Sequence, residues 1–223
     1  ILIFNEPLDS ASMANPAIYT FDNGLTQPTY VLPMAPDFRK VVLKLSSSMQ
    51  TGIVYNCAVL SGMTDCVGNA LINGTGQFAL PQWPAPDDVV INEILADPKT
   101  GGVDFVELYN RSSKTINLKD LRIGSMDTLN NILKETEVIT TEGFLLFPES
   151  YLVISEDQNG VKQQYLTPNP KGFLDVEDLP SMNIDEYVVT LIDANGVVID
   201  NFKYTEKMHL PLLVGTKGES PQG

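Results

Sequence analysis

The chain is short of the residues on which most active-site chemistry depends. Its 223 residues include one histidine (His209), one tryptophan (Trp83) and two cysteines (Cys57 and Cys66). With a single imidazole and no Gly-x-Ser-x-Gly turn, a nucleophile–base pair has no parts to be built from. The cysteines stand nine positions apart, so Cys-x-x-Cys spacing is missing, and zinc has little support without histidine partners. No Gly-x-x-x-x-Gly-Lys loop is present to cradle phosphate. The 28 acids always offer carboxylate pairs. Small sandwich modules leave little room for the deep cleft that carboxylate-pair hydrolysis needs, however, and the segment is read as non-enzymatic. Bases are scarce too: 14 Lys and Arg against those acids give a formal net charge of −14. That balance argues against nucleic acid, whose binding depends on neutralising phosphates, and against an anionic membrane surface. No apolar run approaches the ~20 residues of a bilayer span, which excludes direct membrane insertion by a helix.

What is present is strand and turn. An apolar content of 43% is enough to bury a core. Asn-Gly, which readily supplies the positive φ of tight turns, occurs at Asn23-Gly24, Asn73-Gly74, Asn159-Gly160 and Asn195-Gly196. The last lies between two β-branched runs, 187–193 and 197–202, and reads as a hairpin. Asp193, Asn195 and Gly196 also look like the start of a calcium loop, but the distal Glu of an EF-hand is missing. Further strands are expected at 18–21, 39–45, 52–59, 89–95, 103–109, 144–147 and 151–155. The helical signal is confined to 10–15, which Pro16 limits to about one turn. Many short strands between turn signals give an all-β protein of sandwiches or barrels.

Three prolines in Pro81-Gln82-Trp83-Pro84-Ala85-Pro86 mark a semi-rigid spacer. Charge changes across it: residues 1–86 carry five acids and three bases, and the remaining 23 acids and 11 bases follow. The organisation expected is a domain at 1–80, a linker at 81–88, an acidic domain at 89–213 and a tail at 214–223. Trp83 is either an exposed sugar-stacking aromatic or a plug between domains. The chain opens inside a strand-like run, Ile1-Leu2-Ile3-Phe4-Asn5, and is read as a segment of a longer protein.

Val89-Val90-Ile91-Asn92-Glu93-Ile94-Leu95-Ala96-Asp97-Pro98, followed by Asp104-Phe105-Val106-Glu107-Leu108-Tyr109-Asn110, resembles the bacterial lamin tail domain, an immunoglobulin-like sandwich. Ile116-Asn117-Leu118, Leu121-Arg122-Ile123, the 148–154 block and the 193–204 hairpin continue the resemblance over about 88–204, and Lys217-Gly218-Glu219-Ser220 looks like the start of the family's closing motif. More loosely, Ile3-Phe4-Asn5-Glu6-Pro7-Leu8-Asp9, residues 15–19 and Asp65-Cys66-Val67-Gly68-Asn69-Ala70-Leu71 resemble the bacterial Ig-like module of surface-layer proteins, over about 1–80. The fold implied is two immunoglobulin-like β-sandwich domains in tandem. The context implied is an exported bacterial protein (secreted, periplasmic or cell-surface) in which such modules space, adhere or bind a protein or glycan partner at the cell envelope. Lamin tail domains also accompany secreted nucleases and other hydrolases, so a second reading makes the segment an accessory that positions a catalytic domain elsewhere. A third makes it a carbohydrate-binding module using Trp83, Tyr109 or Tyr151.

Export, as the resemblance implies it, favours a Cys57–Cys66 disulfide over two free buried thiols; a loop of about ten residues closed in this way is worth roughly 2–4 kcal/mol. Alternation along a strand puts Glu93 on a face with Ile91 and Leu95, and Glu107 with Phe105 and Tyr109. A carboxylate among apolar neighbours must lie at a sheet edge, pair with Arg111 or Arg122, or share a hard cation. No cofactor is expected beyond calcium, for which Glu93, Asp97, Asp104 and Glu107 are weak oxygen-ligand candidates. Asn73-Gly74-Thr75 and Asn110-Arg111-Ser112 match the N-glycosylation sequon by chance in a bacterial setting. Asp9-Ser10-Ala11 and Asp127-Thr128-Leu129 match an O-glycosylation pattern that good turn sequences also satisfy. His209 reads as a surface or strand-edge residue.

Overall fold

Short β-branched runs broken by glycine turns fold into two compact units, Ile1–Leu80 and Pro81–Gly223. The computed structural model describes residues 1–71, 74–127, 130, 132–182 and 186–205. Asn73, Thr128, Leu129, His209, the expected 213/214 boundary and the 217–220 motif lie outside the described residues.

The first unit contains β1 (Leu2–Ile3), the single-turn helix α1 (Ser10–Met13), β2 (Tyr19–Phe21), β3 (Tyr30–Met34), β4 (Lys40–Lys44), β5 (Val54–Val59) and β6 (Thr75–Ala79). Two antiparallel three-stranded sheets result, ordered β1-β4-β3 and β2-β5-β6. They share a core of Leu8, Met13, Ile18, Tyr19, Val41 and Met63. Asp9 caps α1, its carboxylate accepting from the Ser12 amide at 2.7 Å. Asn15 and Pro16 then open one turn of 3-10 helix at Pro16–Ile18. Asn23 and Gly24, both at positive φ, turn the chain after β2, but toward the other sheet rather than into a hairpin.

The second unit contains β7 (Val89–Leu95), β8 (Phe105–Asn110), β9 (Ile116–Asn117), β10 (Leu121–Asp127), β11 (Ile132–Val138), β12 (Leu145–Leu146), β13 (Tyr151–Ser155), α2 (Gln158–Gln164), β14 (Phe173–Asp175), β15 (Glu186–Asp193) and β16 (Val198–Thr205). Two four-stranded sheets, β14-β13-β8-β7 and β11-β10-β15-β16, enclose the main core, and β12 pairs with β9. Pairing is antiparallel throughout except for β13 with β14. Ile91, Ile94, Val106, Leu108, Leu152 and Ile154 face Leu121, Ile123, Val189, Leu191 and Ile199 across the sandwich. The protein is all-β.

The proline-rich stretch 81–88 is held to the second unit by backbone and side-chain hydrogen bonds. The Gln82 amide donates to the Thr115 carbonyl and the Asp87 amide to the Ile199 carbonyl. Lys114 pairs with Asp88 at 2.5 Å, and the Trp83 indole donates to Asp193 at 2.9 Å. Proline supplies no amide, but the residues between the prolines do, and the second unit takes them up. Asp193 organises the β15–β16 turn as well, accepting from the Asn195 and Val197 amides at 2.8 Å. Burial opposes its charge, yet these donors and the indole outweigh it and hold the carboxyl below the usual carboxylate range.

Candidate functional site

β8 alternates over residues 106–110. Val106, Leu108 and Asn110 point into the sandwich core, so Phe105, Glu107 and Tyr109 stand on the outer face. On neighbouring β13, Leu152 and Ile154 turn inward and Tyr151 and Val153 outward. β7 does not alternate evenly. A bulge between Ile91 and Glu93 inserts Asn92, so that Ile91 and Ile94 both reach the core while Glu93 and Leu95 take the outer face. Glu93 thus shares a face with Leu95 as expected, but not with Ile91, because the extra residue resets the pleat.

Helix α2 covers one end of this outer face. Asp157 caps it, accepting from the Asn159 and Gly160 amides at 3.0 and 3.1 Å. Gln158 pins it to β14 through backbone and side-chain donors to Asp175 at 2.8 and 2.7 Å. Val161 buries against Leu95 and Phe105, with Val103, Val153, Tyr165 and Phe173 around them. The part of the face left uncovered is an open cavity of about 630 Å³. Its walls are Phe105, Val153, Val161, Tyr165 and Phe173; its acids are Glu93, Glu107 and Glu149.

Glu93 and Glu107 are register partners across β7 and β8. Glu107 accepts a hydrogen bond from the neutral Asn92 side-chain amide, at 2.7 Å. Burial raises the Glu107 carboxyl; the Asn92 donor pulls it down and the Glu93 charge pushes it up again. No Lys, Arg or His lines the cavity among the described residues. Beside the acids, Tyr109 and Tyr151 stack with ring centroids 4.4 Å apart and planes 21° apart, and Tyr151 remains half exposed. Two wall rings carry the protein's own cations: Lys99 Nζ lies 4.8 Å from the Tyr165 centroid and Lys162 Nζ 4.6 Å from that of Phe173. Glu149 enters β13 with φ of 56°, in the left-handed region that disfavours a residue with a Cβ. Three carboxylates and the apolar side chains of Phe105, Val153, Val161, Tyr165 and Phe173 thus line one cavity.

The structure gathers Glu93, Glu107, Tyr109 and Tyr151 and separates the remaining candidates from them. Arg122 lies on β10 in the opposite sheet, and the Arg111 amide donates to the Asp88 carbonyl; Glu107 pairs with neither. Glu107 also sits on an interior strand, so sheet-edge exposure does not describe it. Asp104 feels Glu156 and Asp97, a grouping apart from the Glu93–Glu107 pair. Among the described residues no group of three or more His, Cys, Asp or Glu could hold a metal. Trp83, half exposed, belongs with Asp193 and is not part of the cavity lining.

The cysteines are free thiols rather than the disulfide expected. Strand β5 turns Cys57 into the first unit, 2% exposed, whereas Cys66 lies exposed in the loop between the bridging residues Thr64 and Ala70. Burial pushes the Cys57 thiol up to about 11, which keeps it protonated. Asn110 of the second sequon is fully buried, its amide donating to the carbonyls of Lys114, Leu146 and Phe147, so it is a brace between loops and no acceptor for a glycan. The residues missed in the sequence are those of α2 and the loop after it, Tyr165 and Phe173 above all. Asp157 two residues before Asn159-Gly160 was the available signal, since an acceptor there caps a helix as readily as Asn-Gly makes a turn.

Among the described residues no helix is long and apolar enough to cross a membrane. The family model described as Lamin Tail Domain matches residues 82–206. No curated protein matches the chain.

Proposed function

The chain belongs to the lamin tail domain family, a family of non-catalytic immunoglobulin-like domains, and from that premise we propose that it is a binding segment of a larger exported bacterial cell-envelope protein. The observation that carries this reading is the open, acid- and aromatic-lined cavity of about 630 Å³ on the second unit. A sandwich stable by its own core has no packing need for such a concavity, and pockets of 300–1,000 Å³ are the usual size for ligand sites. Residues 1–80, two small antiparallel sheets around one core, act as a spacer of the bacterial Ig-like type. Support for that role is their sequence resemblance together with their nearly neutral charge. The acidic second unit presents the ligand surface.

Hydrogen exchange on the full chain, with and without isolated bacterial envelope protein and glycan fractions, tests the reading. Protection is expected at 149–153 and 165–173, around the cavity. Unchanged exchange throughout the second unit with every fraction overturns it.

A further inference from the structure

We propose that two copies of the chain pair through strand β6, antiparallel about a two-fold axis at Gln77, with the Phe78 ring of each copy covering Gly76 of the other. This goes beyond the binding reading, because it concerns the first unit and asks nothing of the cavity on the second. An unpaired strand edge presents free backbone donors and acceptors, and proteins blunt such edges with short strands, charges, prolines or bulges. Among the described residues the edge strands of this chain are blunted in those ways, with one exception. β1, β9 and β12 are two residues long, and β2 and β14 are three. β3 carries Pro33, β7 a bulge and Glu93, β11 Lys134, Glu135 and Glu137, and β16 Asp200 and Lys203. β6, Thr75-Gly76-Gln77-Phe78-Ala79, has five residues and none of these devices. β5 takes one side of it, and among the described residues nothing pairs with the other.

Alternation fixes what the strand presents. On β5, Cys57 stands opposite Gly76 and Tyr55 opposite Phe78. Both are buried, so Gly76 and Phe78 face the inside of the unit and Thr75 and Gln77 face out. At Gly76 the inside is open: a Cβ there would meet nothing within 4 Å. The strand borders a cavity of about 320 Å³ walled by Leu2, Phe4, Cys57, Val59 and Leu71. The Phe78 ring is held in place, stacked on Tyr55 with centroids 5.5 Å apart and edge-on to Phe21 at 5.7 Å. An antiparallel pair centred on Gln77 sets Gly76 of each copy opposite Phe78 of the other, and an aromatic ring over a cross-strand glycine is a stabilising pair. The strand is thus its own complement, as an isologous contact requires. Charge favours the same place. Each copy carries a net charge of −14 and repels the other, but residues 1–86 hold only five acids and three bases. Two five-residue strands make a small contact, so the dimer is weak and concentration-dependent.

Sedimentation velocity on the full chain, from about 10 µM to about 1 mM, tests the pairing. Salt at about 150 mM screens the net charge, and a reductant keeps the exposed Cys66 from crosslinking copies. The mean mass is expected to climb from that of one chain toward that of two, and amide exchange at 75–79 to slow over the same range. Gln77 is exposed, so its variants stay folded. Gln77→Lys and Gln77→Glu are each expected to weaken association at least about tenfold, because the axis sets two like charges side by side. Mixed in equal amounts, the two variants are expected to pair again. A chain that stays monomeric at about 1 mM overturns the proposal. So does a dimer that Gln77→Lys leaves intact, since its contact lies elsewhere. Variants that remain apart when mixed overturn the register at Gln77 and with it the role of Phe78. Protection of 75–79 by envelope protein in a chain that remains monomeric gives the edge to a different partner, and likewise overturns it.

Discussion

Burial, with the charges of Glu156 and Asp97 added, raises the Asp104 carboxyl to about 6. An acid whose folded-state pKa stands above its unfolded value near 3.9 holds its proton better in the folded chain. Its stabilising contribution is therefore fully present below about pH 4 and is lost as pH rises through about 6. Asp104→Asn, neutral throughout, is expected to raise stability at pH 8 by on the order of 1 kcal/mol, the shift being discounted because the group is partly exposed. At pH 4 the gain vanishes. Thermal melts at the two pH values, followed by fluorescence of Trp83 in the second unit, check this; an identical gain at both would reject it. Legibility at this scale is uneven. Glu107 and Tyr109 share a face because β8 keeps its alternation, and the sequence shows that directly. The company of Glu93 could not be read, because nothing in Ile91-Asn92-Glu93 marks a bulge; the number of residues opposite it on β8 decides where the pleat slips.

β10 shows how a whole element can hang on one missing side chain. It is an interior strand, paired on one side with β11 and on the other with β15. A Cβ at Gly124 would clash with the Glu135 carbonyl oxygen, which is backbone and cannot move aside cheaply. Gly124→Ala is expected to cost about 2 kcal/mol or more by forcing the β10–β11 ladder apart. Gly76→Ala in β6 is the control, since a Cβ there meets nothing within 4 Å. Urea unfolding by far-ultraviolet circular dichroism compares the two, and similar midpoints would refute the steric account. The expected β15–β16 hairpin matches the observed one because Asp193, Asn195 and Gly196 close it locally. Helix α2 escaped for the opposite reason. Its one buried apolar residue, Val161, makes no periodic stripe, and Asn159-Gly160 reads as a turn. Packing of Val161 on Phe105 and the Gln158–Asp175 bonds supply the helix with what its sequence withholds.

Across the chain, the two thiols report on the first unit without perturbing it. In the native protein Cys66 is expected to react with a disulfide reagent promptly and Cys57 only on unfolding, giving one titratable thiol of two at neutral pH and both in denaturant. Two fast thiols in the native chain would mean that β5 opens, and none would mean that the pair is bonded. By itself the sequence determined the all-β class and the lamin-tail relationship, because strand alternation, turn residues and ordered motif blocks are local properties of the chain. It also determined the net charge of −14. Only the tertiary structure decided that the 81–88 stretch is bound into the second unit, that Asn110 is a buried brace, and that Glu93, Glu107, Tyr151, Tyr165 and Phe173 line one cavity. Those outcomes depend on which residues meet up to some 110 positions apart, and on a bulge that resets one face, neither of which a local pattern encodes.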